Sequence, residues 1–198
     1  IHLSTQANTL NYKTVEFWAE QGVERVILAR ELSLDEIKEI NERMAGKAET
    51  EVFVHGAMCI SYSGRCLLSN YLNGRDSNRG ECVQACRWNY EIREANKGGD
   101  YLTAQEDSRG TYLLNSKDLN MIDHLDELIQ TGVSSLKIEG RMKSEYYLAT
   151  VINAYRRAID EYYEKGSDYK KTAFFAEELK NTMHRAFTTA YMLGDNPN

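Results

Sequence analysis

Short apolar runs alternate along the chain with longer stretches in which apolar residues recur at helical spacing. The short runs are rich in β-branched residues, which is typical of buried strands. They predict five strands, at Ile1–Thr5, Val23–Ala29, Glu51–His55, Thr111–Leu114 and Ser134–Ile138. The longer stretches predict helices at Asn11–Gln21, from Ser33 to about Ala45, from Met121 to Gly132, from Ser144 to near Gly166, and over roughly Ala173–Phe187.

Two of these helices begin with clear capping signals. Ser33 and Glu36 have the spacing of a capping box, in which the serine hydroxyl accepts a bond from a backbone N–H and the glutamate reaches back to the cap. Ser144 is expected to cap the longest helix. The side chains that this helix should turn inward are Leu148, Val151, Ile152, Tyr155 and Ile159.

A polar segment, about Gly56–Gly110, interrupts this alternation. It is rich in Gly, Asn, Ser and Arg, and it contains all four cysteines of the chain. A loop of this length within a compact domain is usually functional or wrongly assigned. We therefore interpret it as a cysteine-rich insertion with a function of its own.

Strands that alternate with helices predict an α/β fold with a parallel sheet. Five strands are too few to close an eight-stranded barrel, so the chain is either a partial (β/α)8 TIM-like barrel or a small open sheet. Polar residues follow the predicted strand ends, where barrel active sites are built, and this favours the barrel. These residues are Gln6, Arg30, His55, Ser116 and the run Glu139–Arg141. Because Ile1 already lies in a predicted strand, we expect residues 1–198 to be the C-terminal portion of a barrel from a longer protein.

Charge and hydropathy narrow the class of protein. The formal net charge is −6, which argues mildly against a nucleic-acid-binding protein. The segment Gly64–Lys97 nevertheless has six basic residues against four acidic ones, although its ordinary interpretation is a solvated loop of mixed charge. The sequence has neither a run of about 18 apolar residues nor a secretory signal, so we expect a cytoplasmic protein that does not span a membrane.

The four cysteines are spaced as Cys59-x6-Cys66-x15-Cys82-x3-Cys86. Disulfides are disfavoured in a chain without export features. Zinc sites usually use cysteine pairs separated by two to four residues, which matches only the second pair. Four thiolates suffice for a four-iron cluster, so the spacing favours a cluster and leaves zinc as its rival. A Cys59 nucleophile with His55 as its base is a further interpretation.

Several long stretches of the chain have the character of a family signature, and they are Ile1–Arg30, Glu51–Ser69, Gly80–Tyr90, Gly110–Leu119 and Ser135–Ser144. They resemble family 32 of the unassigned-type (U) peptidases, the collagenase-like proteins. The resemblance covers essentially the whole chain and includes the four cysteines. Within the family, the Cys-Arg-Trp-x-Tyr and Asn-Ser-Lys-Asp-Leu motifs look most like the branch that hydroxylates the wobble uridine of tRNA at carbon 5.

The resemblance implies a function and a cofactor. It implies a four-iron four-sulfur cluster on the cysteines, a tRNA substrate, and prephenate or a similar small carboxylate as the oxygen source. Relatives in ubiquinone biosynthesis and ribosomal RNA hydroxylation share the cysteine pattern. The resemblance also implies that further barrel precedes Ile1 and that a small domain follows Asn198.

On this hypothesis, particular residues receive roles. Glu139, Arg141 and His55 are the candidate catalytic residues. An ion pair at the barrel rim is the alternative role for Glu139 and Arg141. The candidate substrate-binding residues are Gln6, Arg30, Arg75, Arg79, Arg87, Trp88 and Lys137. Arginines there would meet phosphates or a carboxylate, and Trp88 or Tyr90 would stack on a splayed base, unless these aromatic rings pack beside the cluster. Lys137 lies within a strand and is expected to have an acidic partner.

Two other functions stay open at this point. One is a collagenase-like peptidase, for which the sequence offers no His-Glu-x-x-His or Gly-x-Ser-x-Gly motif and only Ser63 as a nucleophile by elimination. The other is a non-catalytic iron–sulfur scaffold or electron carrier. A cluster with four protein ligands has no open iron position, which suits that role.

Overall fold

The computed structural model describes residues 1–88, 116–171 and 173–194, and the backbone of two short strands between them. The chain divides into two compact units. The first unit is formed by Ile1–Met58 with Lys117–Asn198, and the second by Cys59–Ser116. The predicted strand Thr111–Leu114 and the side chain of Tyr90 lie outside the described residues.

The described residues form eight strands and six α-helices, each numbered in chain order. The strands are β1 (His2–Leu3), β2 (Arg25–Ile27), β3 (Glu49–Ala57), β4 (Glu91–Ile92), β5 (Leu102–Thr103), β6 (Asp118–Asn120), β7 (Ser135–Ile138) and β8 (Phe187–Thr188). The α-helices are α1 (Tyr12–Glu20), α2 (Leu34–Met44), α3 (Leu68–Asn73), α4 (Leu125–Gln130), α5 (Glu145–Lys165) and α6 (Ala173–Lys180).

The first unit is built on one mixed, mainly parallel sheet. The strands β1, β2 and β3 are parallel neighbours, and β7 also pairs with β3 in parallel. The strand β6 pairs with the end of β3 in the antiparallel direction and is parallel to β8. The fold is therefore α/β with a mainly parallel sheet, as expected, and the pairing of β3 with β6 is the antiparallel exception among the described strands of this sheet. The described strands form an open sheet, and its place in a TIM-like barrel stays a prediction.

Local signals position the starts of α2 and α5 as the sequence predicts. The capping box at the start of α2 is present, with Ser33 and Glu36 bonded reciprocally. The side-chain oxygen of Ser144 caps α5 by accepting from the Tyr147 N–H. The largely apolar core of the first unit lies between these helices and the sheet. Its fully buried side chains include Val15, Val26, Ile37, Val54, Leu125, Val151 and Leu179.

Two predictions about the last two helices are wrong. The last helix ends at Lys180 rather than at Phe187, because the hydroxyl of Thr182 bonds to the Leu179 carbonyl and ends the helical ladder. Phe187 instead begins β8. Ile152 was expected to face inward but is 53% exposed, because it lies about 100° around the helix from the buried Val151.

A bulge in β3 determines where His55 points. Along β7 the register passes from Phe53 opposite Lys137 to His55 opposite Ile138, so β3 has one extra residue there. The extra residue breaks the alternation of the strand, and the imidazole lies among the aromatic rings of α5 and β8. The next residue, Gly56, has a φ of +106° and lies against the backbone of Glu139, where a Cβ would collide.

Candidate functional site

The four cysteines belong to the second unit, and all of them are free thiols. Cys59 is exposed, and the other three are half-buried. Burial raises the pKa of the Cys86 thiol, and the neighbouring thiols of Cys59, Cys82 and Cys66 raise it further, while Arg87 opposes them. The structure thus brings the four thiols close enough to interact electrostatically.

Hydrogen bonds order the backbone around the cysteines. The Ser77 hydroxyl donates to the Cys66 carbonyl at 2.8 Å, and the Gln84 N–H donates to the Cys82 sulfur at 3.3 Å. Gln84 lies between the second pair of cysteines with a φ of +56°, a left-handed conformation that is uncommon for a residue other than glycine. Such a conformation persists where its surroundings demand it, and it turns the chain between Cys82 and Cys86.

The donor set fits an iron–sulfur cluster or zinc, because both metals bind four thiolates. The positions of the four cysteine side chains, however, do not form a metal site. Within the described residues, no group of three or more His, Cys, Asp or Glu side chains is spaced to hold an ion. The assignment of the four cysteines as ligands therefore stays a prediction.

The predicted RNA-contacting residues of this unit differ in exposure. Arg75 and Arg79 are exposed, and Arg79 lies 3.7 Å from the Asp76 carboxylate. Arg87 is half-buried beside Cys86. Trp88 is 46% exposed, so a large part of its indole is open to solvent rather than packed in a core. Ser63 is fully buried, which argues against its role as a peptidase nucleophile.

In the first unit, the sheet brings Arg30 and Lys137 to one aromatic ring. The Arg30 guanidinium lies 5.7 Å from the centroid of Phe53, and the Lys137 ammonium lies 5.4 Å from it. Both distances are within the range of a cation–π contact. Two residues that lie far apart in the sequence are thereby combined into one cationic site around a half-buried ring.

Lys137 has the acidic partner that the sequence predicts. Its ammonium lies 3.1 Å from the carboxylate of Glu51, which is only 8% exposed. The Ser135 hydroxyl donates to the same carboxylate at 2.9 Å, and the Arg25 guanidinium lies 3.6 Å from it. Glu51 is thus surrounded by donors, which offsets the cost of its burial and holds Lys137 in place.

The remaining rim residues have mainly local contacts. The Arg141 N–H donates to the Glu139 carboxylate at 3.0 Å, so this carboxylate closes the turn after β7. Arg141 is exposed. Gln6 is half-buried in a 3-10 turn, where its N–H donates to the Ser4 hydroxyl.

His55 is 1% exposed, and burial lowers its pKa to about 4 against the opposing effect of Asp118. Its Nδ1 lies 3.4 Å from the Tyr155 hydroxyl, and its Nε2 has no hydrogen-bond partner among the described residues. The Tyr155 hydroxyl donates to the Val54 carbonyl at 2.9 Å and accepts from the Met121 N–H at 3.0 Å. His55 is therefore a buried neutral base rather than an accessible one.

Three polar residues near His55 escaped the sequence analysis. Asp118 is fully buried and lies 3.4 Å from the ammonium of Lys143, which also donates to the Met183 carbonyl at 2.7 Å. The third is Tyr155, for which helical spacing indicated only a place in the core. Asp118 and Lys143 lie in two of the stretches that carry the family resemblance, and that was the available signal.

One cleft of about 850 Å³ lies in the first unit at the opposite end of the strands. It is lined by polar residues such as His2, Asn41 and Thr131, and it contains none of the predicted site residues. Ligands of α/β sheets bind at the carboxyl ends of the strands, so we place the candidate site at Arg30 and Lys137 instead.

Comparison with known proteins shows the family. The model of Peptidase family U32 matches residues 1–198, and the chain belongs to this family. It is 42% identical to tRNA hydroxylation protein P of Escherichia coli (strain K12), an alignment covering 97% of this chain and 50% of that protein. It is 44% identical to tRNA hydroxylation protein P1 of Bacillus subtilis (strain 168), in an alignment that covers 98% of this chain and 45% of that protein.

More distant relatives have other names. The chain is 34% identical to the 23S rRNA 5-hydroxycytidine C2501 synthase of Escherichia coli, over 97% of this chain and 29% of that protein. It is 32% identical to a collagenase of Porphyromonas gingivalis, over 98% of this chain and 48% of that protein. The chain spans about half the length of the two tRNA hydroxylation proteins. No solved structure matches it. Within the described residues, no helix is long and apolar enough to cross a membrane.

Proposed function

We propose that the protein takes part in the 5-hydroxylation of the wobble uridine of tRNA. The observation that carries this proposal is the 42–44% identity, over almost the whole chain, to two tRNA hydroxylation proteins. The more distant ribosomal RNA relative has a name with the same chemistry, the addition of a hydroxyl at carbon 5 of a pyrimidine. The common element is thus hydroxylation of an RNA base.

The second unit supplies groups suited to RNA. Arg75 and Arg79 are exposed cations that can meet phosphates, and Trp88 is an aromatic side chain that is 46% exposed and suited to stacking. Cys59, Cys66, Cys82 and Cys86 would hold a four-iron four-sulfur cluster in the same unit, with zinc as the rival metal. The cluster would supply single-electron transfer.

The pair Arg30 and Lys137 is suited to the second substrate, a small carboxylate such as prephenate. The two cations at the Phe53 ring can contact carboxylate groups of the substrate, and the ring offers an apolar surface to its cyclic body. The ion pair with Glu51 orients the Lys137 ammonium. The binding of this substrate would therefore depend on the sheet of the first unit.

The reaction balances with a hydroxyl-bearing donor of this class. Conversion of the uracil C5–H to C5–OH removes two electrons from the base. A donor that gives up its hydroxyl and takes the hydrogen in exchange gains two electrons, so no other oxidant is required. At the end of β7, Glu139 is the candidate for moving the proton and Arg141 is the candidate for orienting the substrate. His55 is too deeply buried to serve as an accessible base, and we assign it a structural role.

The two alternative functions have less support. A peptidase would agree with the family name and the collagenase relative, but Ser63 is fully buried. An iron–sulfur scaffold that assists a partner would use the same cysteines without contacting the base. The scaffold predicts that the arginines and Trp88 can be replaced without loss of hydroxylation.

The test is a complementation experiment. A strain lacking the gene receives the full-length protein, and its tRNA is analysed by mass spectrometry for the hydroxylated uridine. We expect wild-type protein to restore the modification and Cys59→Ser or Cys82→Ser to abolish it. The matched control is Glu81→Gln, an exposed neighbour of Cys82 that should restore it fully.

Metal analysis under anaerobic conditions accompanies this test. About four irons and four sulfides per chain, lost in Cys82→Ser, are expected. One zinc and no iron would contradict the cluster. An unmodified uridine in the wild-type strain would contradict tRNA hydroxylation, whatever metal is found.

A further inference from the structure

The helix α3 exposes two of its three large apolar side chains, Tyr71 and Leu72. Tyr71 is 85% exposed, and Leu67, the N-cap residue one turn before it, is 70% exposed. The small polar Ser69, in contrast, is buried and accepts a hydrogen bond from the Val83 N–H at 3.2 Å. Helices normally bury their apolar side, so an exposed one marks an interaction surface.

Other large apolar side chains of the second unit are exposed as well. Within residues 59–88 the exposed ones are Ile60, Tyr62, Leu67, Tyr71, Leu72 and Trp88. The described part of the first unit is more than four times longer and exposes eleven such side chains. The exposure is therefore concentrated in the cysteine-rich unit, and a scattered background does not account for it.

Two exposed arginines lie near Tyr71 in the sequence, one on each side of α3. Arg65 precedes α3 and Arg75 follows its left-handed C-cap, Gly74. Both arginines are exposed, and neither forms an ion pair with another residue in the described part of the chain. Asp76, the half-buried acidic residue that follows Arg75, has other partners. Its carboxylate accepts a hydrogen bond from the Asn78 N–H at 2.9 Å and forms an ion pair with Arg79. An exposed aromatic ring with exposed arginines before and after it in the chain has the composition of a single-strand binding surface.

We propose that Tyr71, with Arg65 and Arg75, forms a stacking platform for an unpaired base of a single-stranded RNA loop. The ring stacks on the base, and the two guanidinium groups contact the phosphates on either side of it. An apolar protein partner would not require the two unpaired arginines, whereas a phosphate backbone does. This inference rests on the proposed function, since it assigns a recognition surface for the RNA.

The test measures binding of the full-length protein to a fluorescein-labelled RNA hairpin that has the sequence of a tRNA anticodon stem and loop. Tyr71→Ala should weaken binding about tenfold, which corresponds to about 1.4 kcal/mol. Tyr71→Phe retains the ring and should bind within about twofold of wild type. The matched control is Tyr163→Ala on α5, a tyrosine that is 69% exposed in the first unit and should change nothing.

The salt dependence separates stacking from charge. The double variant Arg65→Gln/Arg75→Gln should reduce the slope of log K against log salt by about 1.4, because each phosphate contact on a single strand contributes about 0.7. Tyr71→Ala should leave that slope unchanged. A fully paired duplex of the same composition should bind wild type and Tyr71→Ala equally.

The outcomes distinguish this proposal from the proposed function. Wild-type binding with no loss in Tyr71→Ala, or an equal loss in Tyr163→Ala, overturns the platform and leaves RNA hydroxylation standing. Absence of hairpin binding by a wild-type protein that retains its fold overturns both. Loss of binding in Tyr71→Phe as well as Tyr71→Ala shows that the hydroxyl, not stacking, matters, and it also overturns the platform.

Discussion

Arg30 and Lys137 lie within 5.7 Å and 5.4 Å of the centroid of the Phe53 ring, although more than a hundred residues separate them in the chain. Arg30 follows β2 and Lys137 lies in β7, and both strands are neighbours of β3, which contains Phe53. The parallel pairing of these strands is what places two cations on one ring. A cationic pair on an apolar surface is suited to a cyclic carboxylate.

We predict that Arg30→Gln and Lys137→Gln each weaken binding of prephenate by about tenfold, because each removes one charge-assisted contact of about 1.5 kcal/mol. Isothermal titration calorimetry of the full-length protein measures this effect. RNA binding should be unaffected. The control is Arg43→Gln, which removes another cation–π pair, the one with Tyr12. Equal prephenate affinity in all three variants would contradict the assignment.

The close contact between Gly56 and Glu139 predicts a strong effect of one methyl group. Gly56→Ala should destabilise the protein by about 3 kcal/mol, because it combines a φ of +106° with a collision against the Glu139 backbone. Gly46→Ala is the control, since its φ is +77° but open space surrounds it, and it should cost only about 1 kcal/mol. Urea unfolding measures both. Similar losses in the two variants would show that the contact is unimportant.

The Tyr155 hydroxyl connects α5 to β3 and to Met121, the residue that follows β6. The Met121 N–H also donates to the Val54 carbonyl at 3.0 Å, so Tyr155→Phe removes one partner of each group and leaves them bonded to each other. We therefore expect a loss of about 1 kcal/mol in the free energy of unfolding. Tyr163→Phe, at an exposed position of the same helix, should change it by less than about 0.5 kcal/mol. Chemical denaturation distinguishes these values, and equal stability of the two variants would argue against the bridging role.

Burial of neutral His55 predicts a loss of stability in acid. Its pKa is about 4 in the folded protein, against 6.5 as the ordinary value, so the unfolded chain binds the proton more tightly. The contribution of neutral His55 to the free energy of unfolding is fully present above pH 6.5. This contribution is lost as the pH falls from 6.5 towards 4, by about 3 kcal/mol in total.

Because carboxylates also titrate in this range, the comparison is with His55→Gln, which should lose about 3 kcal/mol less than wild type between pH 7 and pH 4. The charged groups that interact with His55 are Asp118, Lys143 and His184, and they are the same in both proteins. Parallel stability curves for the two proteins would contradict the buried neutral state of His55.

Much of the fold could be predicted because its signals are local. The capping box at Ser33, the Ser144 cap and the strand Ser135–Ile138 depend on neighbours within a few residues. The end of α6 could not be predicted in this way. The stretch after Lys180 has helical spacing, but Phe187 gains more by pairing with Asp118 in the sheet, a partner 69 positions earlier in the chain.

The same distinction between local signals and distant partners applies to the candidate site. The sequence by itself determined the cysteine spacing, the family and the identity of the polar residues after the strands, because these follow from residue type and order. Only the tertiary structure decided that Arg30 and Lys137 meet at Phe53, that a bulge in β3 buries His55, and that Tyr71 is exposed. Side-chain direction depends on strand register and on packing between distant segments, which no local pattern encodes.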